Sequence, residues 1–258
     1  MTSAFEDAAR HLLDEHDRGA KFTPVAKNFG ATDLNGAYDI QDCLVPHLIE
    51  RHGSPCGYKV GLTSKAMQDM CGIDQPIAGV VLANRVAASG AKISLSDHGH
   101  AGIEFEIAVR LVGDLGAGTA LKDVEQAVDG VAAAFEIIDD RHADYAVLDV
   151  RSLIADNSWN AAAVIGTFVT PPKGLADVPG VVALNGETLD QGYGSAALGH
   201  PYEPVRWLAN HLAERGSGLR QGDVVLTGSL VRTRFPSPGE TYDFDVAGIG
   251  AVQVAFVA

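Results

Sequence analysis

Gly102-Ile103-Glu104-Phe105-Glu106-Ile107-Ala108-Val109-Arg110-Leu111 alternates apolar and polar side chains almost without a break. A strand turns successive side chains to opposite faces. Ile103, Phe105, Ile107 and Val109 therefore share one face, and Glu104, Glu106 and Arg110 the other. Two carboxylates on one face repel unless water, a proton or a cation separates them. By itself the stretch reads as a half-buried antiparallel strand with its acidic face in water. Any further meaning has to come from the rest of the chain.

Downstream, Glu136 sits in the apolar run AAAFEII, residues 132–138, which reads as a buried strand or helix end. A buried carboxylate without a partner costs several kcal/mol, on the order of a charge-burial penalty, unless it is protonated or meets a cation. Two partners are open at this point. One is Arg141, as a structural ion pair; the other is a hard divalent ion shared with Glu104 and Glu106, since oxygen donors suit Mg2+ and Mn2+. Upstream, Gly57-Tyr58-Lys59-Val60-Gly61-Leu62-Thr63-Ser64 puts Lys59 in an extended segment between glycines. Glycine lets a backbone approach a ligand closely, and a lysine in apolar company can have a lowered pKa suited to proton transfer. A solvated lysine at a strand edge is the plainer alternative.

Composition limits what such a cluster can serve. With 258 residues, 47% hydrophobic and 20% charged, the chain reads as globular, either one large domain or one with a small appendage. A formal net charge of −14 with no Lys/Arg run argues against nucleic acid and anionic membranes as partners. No apolar run reaches the roughly 18 residues of a spanning helix. The opening MTSAFEDAARHLLDEHDRG is acidic and amphipathic rather than a signal peptide. Cys43, Cys56 and Cys71, an odd count without CxxC spacing, fit reduced thiols in a cytoplasmic protein.

Helical spacing predicts helices over 3–18, 34–51 (with Pro46 kinking or ending it), 65–71 capped by Thr63 or Ser64, 121–134, 152–157 and 205–215. Strands are expected at 80–82, 92–95, 102–111, 161–169, 223–227, 241–246 and 250–257. A hairpin turns at Asn185-Gly186. Many strands and few helices after residue 80 predict an α+β protein: a mixed β-roll or barrel-like core, residues 76–258, with a small α-rich cap at 1–75. No phosphate loop or GxSxG elbow is present.

One ordered set of motifs is more specific than its members. Gly57–Ser64, Asp74-Gln75-Pro76, Glu104-x-Glu106, Glu136-Ile137-Ile138-Asp139, Ala155-Asp156-Asn157 and Leu226-Thr227-Gly228-Ser229 occur in that order. Together they resemble the 2-oxopent-4-enoate hydratase / 4-oxalocrotonate decarboxylase family, within the fumarylacetoacetate hydrolase superfamily, over nearly the whole chain. The resemblance implies the β-roll fold, a homo-oligomer, and Mg2+ or Mn2+ held by Glu104, Glu106 and Glu136. It further implies Lys59 as the acid/base group, Asp74 assisting proton transfer or holding water, and Ser158 and Ser229 helping to hold substrate. The activity implied is hydration of a 2-hydroxy-2,4-dienoate to a 4-hydroxy-2-oxo acid in aromatic catabolism, with a small 2-oxo or 2-hydroxydienoic acid as substrate.

The alternatives are a 4-oxalocrotonate-type decarboxylase and an acylpyruvate-type C–C hydrolase, for which His98 or His100 is a loose candidate water activator. Association with a pathway partner enzyme, up to a non-catalytic subunit role, belongs to the same implication. Two departures bear on the substrate. Ser158-Trp159-Asn160 replaces the family's small residues, with Trp159 either a pocket wall or core. Arg232 and Arg234 alternate on one face after the TGS turn, either holding a distal carboxylate or edging a solvated strand.

Overall fold

The computed structural model describes residues 4–258; residue 3, where the first predicted helix begins, lies outside them. In chain order the elements are α1 (Ala4–Asp17), α2 (Leu34–His52), β1 (Pro55–Gly61), α3 (Lys65–Cys71), β2 (Ile77–Leu82), β3 (Val86–Ala88), β4 (Ala91–Ser94) and β5 (Ala101–Leu111). There follow α4 (Leu121–Ala127), β6 (Val128–Asp139), α5 (Val150–Ala155), β7 (Asn160–Ile165), β8 (Pro179–Leu184) and β9 (Glu187–Tyr193). The chain ends with α6 (Tyr202–Glu214), β10 (Val224–Ser229), β11 (Thr241–Val246) and β12 (Gly250–Val257).

Two mixed sheets carry the fold. A seven-stranded sheet has the order β2-β1-β10-β5-β6-β7-β3, and a five-stranded sheet the order β4-β12-β11-β8-β9. Both remain open, so the core is an α+β roll and the barrel-like option is corrected. The apolar row of β5 fills the space between the sheets, where Phe105 meets Phe135 and Phe244 edge-on at 5.6 and 5.8 Å. Ile103, Phe105, Ile107 and Val109 are all fully buried. Each such burial is worth about 1.5–3 kcal/mol. A one-residue slip of β5 would put glutamates there instead, so the hydrophobic row fixes the register.

That register matters because β5 and β6 pair antiparallel with Glu104 directly opposite Glu136. Strand β1, on the N-terminal side of residue 75, joins the same sheet between β2 and β10. Gly57 makes this possible: a Cβ there would lie 1.9 Å from the Val224 carbonyl oxygen. A separate apolar cluster seats α1 and α2 against Leu82 and Ala155. No helix among the described residues is long and apolar enough to cross a membrane.

Local signals held in several places. Ser64 caps α3 by accepting from the Met67 N–H, and Asn185 and Gly186 take φ of 52° and 85° in the β8–β9 turn. Helix α2 passes through Pro46 without ending. The helix expected over 121–134 is the main miss. It stops at Ala127, and β6 begins at Val128 because residues 128–139 are claimed by a long ladder to β5.

Candidate active site

Strand alternation delivers Glu104 and Glu106 to the face opposite the inter-sheet core, and the β5–β6 register brings Glu136 beside them. One oxygen from each of the three carboxylates falls within 4.8 Å of the others, and no other such group of acidic, histidine or cysteine ligands occurs among the described residues. Glu106 and Glu136 are fully buried, and Glu104 is half-buried.

Each carboxylate is tethered by one oxygen. Thr233 donates its hydroxyl to Glu104 Oε1 at 2.7 Å, and Asn160 donates Nδ2 to Glu136 Oε1 at 2.8 Å. The Gly228 N–H donates to Glu106 Oε2 at 2.7 Å. A register shift in β10 between Leu226 and Ser229 turns that N–H inward. Gly228 has φ of 102°, and a Cβ there would lie 2.1 Å from Thr63 Oγ1, so only glycine fits.

The second oxygens of Glu106 and Glu136 are buried without a hydrogen-bond donor. Lys59 Nζ lies 3.4 Å from Glu136 Oε2 and is the one cation paired with the cluster among the described residues. Three carboxylates against one ammonium leave two negative charges unbalanced. Hard oxygens converging on a net charge of about −2, one of them without any donor, fit a divalent cation of the Mg2+ or Mn2+ kind. Arg141, the alternative partner for Glu136, is engaged elsewhere: it donates to Asp156 at 2.8 Å and to Glu15 at 3.3 Å.

The electrostatics reflect this crowding. Burial first, then Glu136 and Glu104, hold the Glu106 carboxyl well above the usual carboxylate range. Burial and Glu104 push Glu136 up to about 7 although Lys59 pulls the other way. Burial would lower the Lys59 pKa, but Glu136, Glu104 and Glu106 outweigh it and raise it. The lowered lysine pKa expected from apolar neighbours is thus corrected, because its decisive neighbours are acidic.

A pH dependence follows. Carboxyls with raised pKa values favour the folded state most below the ordinary carboxylate pKa, and that contribution is lost as pH rises through the raised values. Lys59 stays charged throughout this range. Stabilisation by added Mg2+, which takes deprotonated ligands, is therefore expected to grow between about pH 5 and pH 8, the window set by Glu136. Thermal melts with Mg2+ and with chelator across this range check it; a Tm increment independent of pH contradicts it.

Around the cluster, Asn157, Ser158 and Trp159 take φ of 48°, 50° and 58° in succession. Left-handed non-glycine residues cost about 1–3 kcal/mol each and need strong support. Here Asn157 bonds the Val80 N–H and carbonyl at 2.7 and 2.9 Å, and the Ser158 hydroxyl donates to the Ala78 carbonyl at 2.8 Å. The turn delivers Asn160 to Glu136 and lies against Gly79, which pairs with Lys59. Ser229 Oγ accepts from the Phe105 N–H at 2.9 Å beside Glu106. Ser229 thus borders the cluster and Ser158 lies against Ala78, each with its hydroxyl tied to backbone.

Asp74 does not join them. It is exposed in the bend after α3 and forms no hydrogen bond or ion pair with another described residue. Arg234 pairs with Asp190 at 2.7 Å, and Arg232 is exposed. His98 and His100 bond the Ser94 carbonyl and Asp140 rather than any glutamate. Trp159 is buried, edge-on to Phe22 at 5.1 Å. The tethering roles of Thr233, Asn160 and Gly228 escaped the sequence reading, although Gly228 stands in the Leu226–Ser229 motif, Asn160 in Ser158-Trp159-Asn160 and Thr233 between Arg232 and Arg234.

An open two-sheet roll that gathers three carboxylates beside a buried lysine defines a candidate metal-assisted enzyme. Residues 58–257 match the profile of the fumarylacetoacetate (FAA) hydrolase C-terminal family. The chain is 37% identical to 2-hydroxyhexa-2,4-dienoate hydratase of Comamonas testosteroni over 97% of each protein. It is 33% identical to the TodF product hydratase of Pseudomonas putida, over 99% of this chain and 96% of that protein. The solved structure of 4-oxalocrotonate decarboxylase from Pseudomonas putida G7, complexed with magnesium and adipate, superposes with a TM-score of 0.91 at 30% identity. It covers 98% of this chain and 97% of its own. The chain belongs to the 2-oxopent-4-enoate hydratase / 4-oxalocrotonate decarboxylase family of the fumarylacetoacetate hydrolase superfamily.

Proposed function

We propose that this protein is a hydro-lyase that uses Mg2+ or Mn2+ to hydrate a 2-hydroxy-2,4-dienoate to a 4-hydroxy-2-oxo acid. The observation that carries it is the convergence of three carboxylates on one ammonium: buried Glu106 Oε1 has no donor, and buried Glu136 Oε2 faces only Lys59 Nζ at 3.4 Å. Relatives named as hydratases of this substrate class support it. Glu104, Glu106 and Glu136 would hold the ion. Bound there, it supplies Lewis-acid stabilisation of negative charge developing at the substrate's 2-oxygen, and it relieves the acidic field that keeps Lys59 protonated.

Lys59 is the proton carrier. Ketonisation of the dienol requires a proton delivered to carbon, and addition of water requires one removed from the nucleophile. Gly61 and Gly79 leave room for the lysine side chain, since a Cβ at Gly61 would lie 3.0 Å from Lys59 Nζ and one at Gly79 3.2 Å from Lys59 Cγ. Thr233, Asn160 and the Gly228 N–H keep the carboxylates oriented. Ser158 and Ser229 edge the space where substrate would lie, and Asp74 reaches it only if its loop folds inward.

The decisive assay follows the loss of dienoate absorbance with Mg2+ or Mn2+ and identifies the 4-hydroxy-2-oxo acid. Turnover abolished by chelator and restored by metal is expected. Carbon dioxide release from a dicarboxylate without hydration of any dienoate would instead favour the decarboxylase.

A further inference from the structure

The acidic cluster leaves unused a cavity of about 520 Å3, a size that holds a small molecule. Its walls come from the ends of α1 and α2, the Leu82–Arg85 turn after β2, the loop before β5 and the Asn157–Ala161 segment. Neither Lys59 nor any of the three glutamates lines it.

Most charges around this cavity are already matched. Arg51 forks onto Asp17 at 2.6 and 3.0 Å, and Arg18 pairs with Asp14 at 2.6 Å. Arg141 is shared between Asp156 and Glu15, and His16 also bonds Asp156 at 2.7 Å. Asp139 accepts the N–H groups of Gly99, His100 and Arg141, and His98 is tied to the Ser94 carbonyl. Two lining charges are left, Arg85 and Asp97. Asp97 is exposed, so water screens it.

Arg85 is half-buried and pairs with no carboxylate among the described residues; its Nη2 donates to His52 Nε2 at 3.1 Å. Burial first, then Arg85, Arg51 and His16, hold His52 below the ordinary histidine pKa, which keeps it neutral and able to accept that bond. The wall formed by Arg85, His52 and Arg51 is therefore short of acceptors. The same imbalance recurs at Arg141 Nε and Trp159 Nε1, buried donors of two lining residues that have no acceptor. Leu48, Leu82 and Trp159 add apolar surface to the lining. A guanidinium with a free edge takes two oxygens of a carboxylate at once, and neighbouring hydrocarbon favours a ligand whose remaining body is apolar.

We propose that this cavity is a second ligand site, separate from the metal centre, that binds a small organic carboxylate with Arg85 as its anchor. The site stands independently of the hydratase reading. Calorimetry on chelator-treated protein tests it with benzoate, which has no 2-oxo group to chelate a metal and which the empty acidic cluster repels. One benzoate per chain is expected, bound at least about tenfold more tightly than benzamide, its uncharged counterpart, on the scale of a charged hydrogen bond. Inorganic phosphate, which lacks the apolar body, is expected to bind more weakly than benzoate. Arg85→Gln should weaken benzoate at least about tenfold while melting close to the wild type, since Arg85 forms no ion pair there. Glu106→Gln should bind benzoate as the wild type does. Absence of benzoate binding, equal binding of benzamide or phosphate, unchanged affinity in Arg85→Gln, or weakening by Glu106→Gln overturns the proposal. Should Arg85→Gln fail to fold, the comparison of benzoate with benzamide on the wild type decides.

Discussion

Glu106→Gln is expected to lower kcat/KM by at least about a thousandfold, roughly 4 kcal/mol of lost transition-state stabilisation. It should also abolish the stabilisation that Mg2+ gives the wild type. The substitution is nearly isosteric, and the amide oxygen can still accept the Gly228 N–H that bonds Glu106 Oε2 at 2.7 Å. What changes is the other atom: a carboxylate oxygen that is buried without a donor becomes an amide that donates, aimed where the cation belongs. Removing a crowded buried charge should leave the metal-free variant as stable as the wild type or more so, by up to about 1–4 kcal/mol. Activity and stability thus move in opposite directions, as in a site maintained at the expense of the fold. Chelator-treated melts and steady-state kinetics on the same preparations read both. An active variant, or one that Mg2+ stabilises as well as the wild type, contradicts the assignment of Glu106.

The sequence revealed the site's charges better than their supports. Period-two alternation in β5 is legible because the buried row must be apolar, and this at once assigns Glu104 and Glu106 to the other face. Glu136 stood out because a carboxylate within AAAFEII needs a partner, though the run could not say which: Arg141 and the metal were equally open. The decision belongs to register, which sets Glu136 opposite Glu104 and leaves Arg141 with Asp156. The start of β6 was hidden because Val124, Ala127, Val128 and Val131 satisfy a helical period, and only pairing with β5 overrides it. The tethering roles of Asn160 and Gly228, both present in the quoted motifs, were beyond reach for another reason. One depends on three consecutive left-handed residues and the other on a bulge, and neither conformation leaves a periodic trace. Lys59 was found, but the sign of its pKa shift depends on which residues surround it in space.

That sign makes Lys59 the sharpest remaining test. Lys59→Met is expected to lower kcat by about 10^2–10^4-fold, the range of positioned proton transfer, with KM changing far less. Methionine fills a comparable volume, so the site should not collapse. Without metal the variant should be destabilised by about 3–5 kcal/mol, because Glu136 loses its ionic partner while remaining fully buried. With Mg2+ present the order reverses: an ammonium 3.4 Å from Glu136 Oε2 competes with a cation for the same carboxylates, so its removal should tighten metal binding. Lys59→Arg should not restore turnover, since a guanidinium keeps the charge but cannot release its proton near neutral pH. A purely structural lysine would be rescued by arginine and would leave kcat intact once metal restored the fold. Loss of kcat together with tighter Mg2+ binding and no rescue by arginine is the combination that only a proton carrier set beside a metal site produces.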